Sequence, residues 1–113
     1  MGHDIQLYYK PDINALAQAI VEWRKSKGFK TDITNVPEKL FLIITELAEA
    51  GEEYRYDPTL QNKKRREHFT EEIADTFIRL LDLSGSLQLD IATAIHNKML
   101  INEKRPMLHG KKL

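Results

Sequence analysis

The chain contains no cysteine. That removes disulfides, thiolate metal sites and cysteine nucleophiles together. It carries no excess of either charge, because seventeen Lys plus Arg balance seventeen Asp plus Glu. A dedicated nucleic-acid binder needs a basic surplus, so none is expected here. No apolar run approaches the roughly 20 residues needed to cross a bilayer, so no membrane partner is expected. The opening segment, MGHDIQLYYK, has no apolar signal region, and a reducing cytoplasm is the expected compartment. Strand-like alternation and hairpin turns are missing as well. So are a P-loop and a dinucleotide fingerprint. Ser84 and Ser86 flank Gly85 without a nucleophile-elbow context. His3, His68, His96 and His109 show no metal-ligand spacing. There is no internal repeat, low-complexity tract or linker.

What remains is a chain of 113 residues, 42% apolar and 30% charged, which is globular in composition and one domain in length, residues 1–113. Helical periodicity divides it into four helices, an all-α fold. The first is expected from Ile13 to Lys27, with Asp12 as N-cap and Gly28 as its stop. The second runs from Val36 to Tyr54, with Asn35 and Glu38 resembling a capping box and Pro37 in the first turn. The third starts after Thr70, an N-cap followed by Glu71 and Glu72, and ends near Leu87. Within it Gly85 costs about 1 kcal/mol relative to Ala. The fourth starts after Asp90 and stops before Pro106. Arg55 to Phe69 reads as a polar loop with a basic cluster, and the stretch after Pro106 as irregular.

The second helix carries the first chemical signal. Glu46 and Glu49 lie one turn apart, and Glu53 continues the row, within about 60° of one another on a helical wheel. Leu40, Phe41, Ile44, Leu47, Ala48 and Ala50 fill most of the remaining circle. A helix apolar almost all round is expected to be buried. Burying an unpaired carboxylate is costly. The third helix repeats the pattern, with Glu72 and Asp75 spaced by three among Ile73, Ala74, Phe77, Ile78, Leu80 and Leu81. If the two helices pack antiparallel, four carboxylates converge. Such an all-oxygen set suits Mg²⁺ or Mn²⁺ rather than Zn²⁺. Di-iron bundles add Glu-x-x-His, which this chain lacks. The plainer alternative is two solvated helix faces, with Asp75 and Arg79 an ordinary i, i+4 ion pair.

A cationic set follows on the fourth helix. Lys98, Asn102 and Arg105 continue the face begun by Ile91, Ala94 and Ile95. Lys offers a point charge to phosphate and Arg a two-pronged donor. Otherwise these are cations suited to a helix C-terminus, or partners for the carboxylates. Trp23 is either packing or a surface on which a nucleobase stacks. Lys63-Lys64-Arg65-Arg66 is either a solvated loop or a cover for a phosphate tail.

These strings resemble a known family. TELAEAGEEYR, then EEIADTFIRLLDL, then KMLINEKRP with a trailing HGKK, are similar to the MazG-like nucleoside triphosphate pyrophosphohydrolases of the all-α NTP pyrophosphatase superfamily. The resemblance spans roughly residues 20–111. Its mark is ExxE (Glu46, Glu49) followed by ExxD (Glu72, Asp75), then Lys-x3-Asn-x2-Arg. It implies a four-helix MazG-like bundle, Mg²⁺ or Mn²⁺ on those four carboxylates, and triphosphate contacts from Lys98, Asn102 and Arg105. Many members double the Glu at the start of the first motif, where this chain has Thr45-Glu46. The implied reaction converts a nucleoside triphosphate, a deoxy or non-standard one, to the monophosphate and pyrophosphate. Glu49 is the expected proton acceptor, and Trp23 or Phe29 is expected to touch the base. The superfamily also contains phosphoribosyl-ATP pyrophosphohydrolases and dimeric dUTPases. From another class, a non-catalytic helical module binding nucleotide or protein stays open. The second helix has more apolar surface than one small bundle can cover, so a homodimer or a tetramer of dimers is expected.

Overall fold

A computed structural model describes residues 2–106, with side chains from residue 13 onward. Among the described residues there are four α-helices and no strand: α1 (Gly2–Ser26), α2 (Val36–Tyr56), α3 (Lys63–Ser86) and α4 (Ile91–Glu103). A short 3-10 turn, Ile33–Asn35, leads into α2. The expected irregular stretch after Pro106 lies outside the described residues.

Local chemistry explains most boundaries. α1 ends in a Schellman motif: the Phe29 amide donates to the Arg24 carbonyl and the Gly28 amide to that of Lys25, both at 3.0 Å. Gly28 has φ +90°, a conformation other residues resist. The start expected at Asp12 is displaced, because the backbone is already helical from Gly2. The cap expected from Asn35 and Glu38 is replaced by one a turn earlier. Asp32 accepts from the Thr34 amide, and the Asn35 side chain accepts from the Asp32 amide at 3.0 Å. The bonds to Thr34 also hold the Asp32 carboxyl below its usual range.

The largest difference falls between α2 and α3. The polar loop expected over residues 55–69 is only residues 57–62, because α3 begins at Lys63 rather than after Thr70. Asn62 is the cap, its side chain accepting from the Arg65 amide at 3.0 Å. Thr70 instead sits inside the helix, donating to the Arg66 carbonyl. Asp57 closes the turn by accepting from Thr59 and, at 2.8 Å, from the Asn62 amide. α2 and α3 therefore form an antiparallel helical hairpin. Its register is marked by the ion pairs Glu53–Arg65, at 3.2 Å, and Glu46–Arg79, at 3.1 Å.

α3 is the central element, packing on α2 along one side and on α1 along another, while α4 packs mainly on α1. The α1–α3 crossing is close: a Cβ added at Gly85 would stand 2.7 Å from Val21 Cγ2 and 3.1 Å from the Ala17 carbonyl oxygen. The buried apolar set is small, comprising Ala17, Val21, Ile43, Ala50 and Ala92. α2 is not buried all round as expected, because α3 packs on one side of it, where Lys39, Ile43 and Ala50 are buried and Leu42, Glu46 and Glu53 half-buried. Leu40, Phe41, Ile44 and Leu47 lie exposed on its other side.

Candidate functional site

The hairpin brings the two acidic motifs together. Glu46 on α2 and Glu72 and Asp75 on α3 each offer an oxygen within 4.8 Å of the others. Glu46 and Glu72 are half-buried and Asp75 is exposed. Glu49, one turn along α2, is exposed and stands within hydrogen-bonding reach of Glu72. Glu46, Glu72 and Asp75 thus form one cluster with Glu49 beside it against Glu72, and Glu49 and Asp75 are its exposed members.

Glu72 sits under the greatest electrostatic load. Its Oε2 is buried, and among the described residues no donor reaches it. As a carboxylate it would be left unsatisfied beside two other carboxylates. With a proton it can donate to Glu49 or Glu46. Hydrogen bonding to Glu49, then burial, then hydrogen bonding to Glu46 and the charges of both, push its pKa up to about 7. An orphaned buried oxygen within an all-carboxylate set fits a hard divalent cation, which would satisfy the oxygen and neutralise its neighbours. Glu46, Glu72 and Asp75 are placed to hold it, with Glu49 beside Glu72.

Arg79 is the one cation paired with this cluster among the described residues. Its Nε lies 3.1 Å from Glu46 Oε1, the two side chains being 23% and 13% exposed. The i, i+4 alternative, Asp75 with Arg79, is replaced by this bond across the hairpin. Glu53 belongs elsewhere. It is bound to Arg65 and lies 3.7 Å from His68 Nδ1, with Arg65 stacked 4.3 Å from the Tyr56 ring. That arrangement engages Arg65 of the basic run and leaves Lys63, Lys64 and Arg66 exposed.

The cationic set is not joined to the carboxylates. Lys98 and Arg105 are exposed, and among the described residues no ion pair or hydrogen bond links them to any acid. Arg105 lies just past the end of α4. Asn102 is half-buried, with its Oδ1 enclosed and without a partner among the described residues. Because α4 packs mainly on α1, one chain assembles the acidic half of the expected site without the phosphate-binding half.

Trp23 is 51% exposed and Phe29 49%, so neither is core packing. Phe29 rests on the Arg24 guanidinium, 4.1 Å from its carbon to the ring centre, leaving the rest of the ring to solvent. Beneath it lies a buried cluster that the sequence reading missed. Arg24 Nε stands 3.2 Å from Asp82 Oδ2, both side chains buried, though without the alignment of a hydrogen bond. The Thr31 hydroxyl donates to the same oxygen at 2.5 Å, and Ser86 reaches Oδ1 at 3.4 Å. Asp82 follows Asp75 by seven residues, two helical turns, a spacing that suggests the acidic face and gives no sign of its partner Arg24. No family model, curated protein or solved structure matches this chain.

Proposed function

We propose that this protein is a MazG-like, metal-dependent nucleoside triphosphate pyrophosphohydrolase. The observation that carries the reading is the convergence of Glu46, Glu72 and Asp75 within 4.8 Å, with Glu49 against Glu72, across one helical hairpin. A pure scaffold gains nothing from four clustered carboxylates, one of them with an orphaned oxygen. When bound, Mg²⁺ or Mn²⁺ supplies charge neutralisation and lowers the pKa of a coordinated water.

The chain's own residues do the rest. Glu49 is exposed enough to meet solvent and accepts the proton of the attacking water. The water oxygen bonds to the α-phosphorus as the bond to the bridging oxygen breaks, giving the monophosphate and pyrophosphate. Lys98 and Arg105 neutralise the leaving pyrophosphate and Asn102 orients it. Phe29, backed by Arg24, and Trp23 offer aromatic surface to a base. Two chains paired through the open face of α2 complete the bundle. The substrate is a dNTP or a non-canonical NTP.

The test is pyrophosphate release from a panel of canonical and modified NTPs and dNTPs, with phosphoribosyl-ATP and dUTP included. It is run with Mg²⁺, with chelator, and with Glu49→Gln. Release that needs Mg²⁺ and falls at least a hundredfold in Glu49→Gln is expected. Nucleotide binding without turnover by folded protein would replace this reading with a binding module.

A further inference from the structure

Arg79 has no part in the reaction as set out above, yet it is the cation that sits in the cluster. Its Nε is 3.1 Å from Glu46 Oε1, and both side chains are largely withdrawn from water. A divalent ion needs the same carboxylate. It binds oxygen at about 2.1 Å for Mg²⁺, and it brings two positive charges close to the guanidinium. Whether the ion takes the oxygen bonded to Arg79 or the other oxygen of Glu46, the guanidinium stays close to it, in a place where charge is poorly screened. We propose that Arg79 is the resident counter-cation of the cluster, holding Glu46 against a divalent ion and so weakening the site's affinity for that ion. This rests on reading the carboxylates as a divalent-cation site, and is independent of which nucleotide is hydrolysed.

Two effects follow. Without metal, Arg79 offsets the mutual repulsion of Glu46, Glu49, Glu72 and Asp75 and so stabilises the hairpin. With metal, it is a repulsive neighbour. A residue that only staples α2 to α3 would stabilise the fold equally in both states. A residue that only orients Glu46 would strengthen ion binding, as outer partners of metal ligands commonly do.

The experiment titrates the full chain with Mn²⁺, reading free ion by electron paramagnetic resonance, for wild type, Arg79→Gln and Arg79→Lys. Thermal melts are run with chelator and with saturating Mn²⁺. Arg79→Gln is expected to bind Mn²⁺ at least tenfold more tightly, about tenfold being the effect of one unit charge on a divalent ion about 6 Å away with water alone between them. Arg79→Lys keeps the charge and is expected to stay within about twofold of wild type. The rise in melting temperature on adding Mn²⁺ is expected to be larger in Arg79→Gln than in wild type. Unchanged or weaker Mn²⁺ binding by Arg79→Gln overturns the proposal, and so does tenfold tightening by Arg79→Lys. If wild type binds no Mn²⁺, the reading of the cluster as a metal centre falls, and this inference with it.

Discussion

Glu72 faces incompatible demands at its two oxygens. One is enclosed without a donor, and the group stands beside the carboxylates of Glu49 and Glu46. In the metal-free protein a proton resolves the conflict, which raises the folded-state pKa from an ordinary 4.5 to about 7. The folded protein therefore binds more protons than the unfolded chain across that interval. Metal-free stability is expected to be greatest below about pH 4.5 for this group, and to fall as the pH rises through about 7. Melting curves in chelator from pH 5 to 8 check the slope, and Glu72→Gln should flatten it. Saturating Mg²⁺ should do likewise by taking the proton's place. Asp82 presents the opposite case, a buried acid with its cation beside it. Asp82→Ala leaves Arg24 buried without a counter-charge and should cost about 3 kcal/mol in denaturant unfolding. Among single residues, the four acids were legible because ExxE and ExxD are spaced by a helical turn. Arg79 and Arg24 were not, since a cation's choice between a neighbour on its own helix and one across a hairpin depends on packing, which spacing does not encode.

At the scale of elements, the helices were legible where a specific residue marks an end. Gly28 closes α1, Asp90 caps α4 by accepting from the Thr93 amide, and Pro37 occupies the first turn of α2. The N-terminus of α3 was misplaced because Thr70 and Asn62 are both competent caps. The register of Glu53 against Arg65 and the Asp57 turn decide for the earlier one. Gly85 shows the same limit. By propensity alone, Gly85→Ala should stabilise α3 by about 1 kcal/mol. The close crossing of α1 reverses that expectation, because the new methyl would meet Val21 Cγ2 and the rigid Ala17 carbonyl. Net destabilisation of about 1–3 kcal/mol is the expected result, measured as a lower urea midpoint at unchanged slope.

At the scale of the whole molecule, the apolar surface is out of proportion to the core. Leu40, Phe41, Ile44 and Leu47 share one side of α2, with Phe41 69% exposed. On α3, Phe77 and Leu80 are exposed too. On the proposed reading this face pairs with a second chain. The expected particle in light scattering has at least twice the mass of the chain. Phe41→Glu places a charge in the middle of that face and should shift the particle to the single-chain mass. A monodisperse single-chain particle from the wild type would remove the dimer from the proposal. Sequence made the surplus visible as a helix apolar on nearly every side. It did not show which side α3 takes.

The short turn of residues 57–62 also bears on the order in which the molecule comes together. Every acid of the cluster lies between Glu46 and Asp75, on two helices joined by that one turn. Contacts so close along the chain form with little loss of loop entropy, and early. The hairpin can therefore gather its four acids before α1 has docked on α3 and before α4 has found α1. At that stage the repulsion among them has no other helix to restrain it. Arg79 comes from the same hairpin, so the neutralising charge arrives in the same step as the charges it offsets.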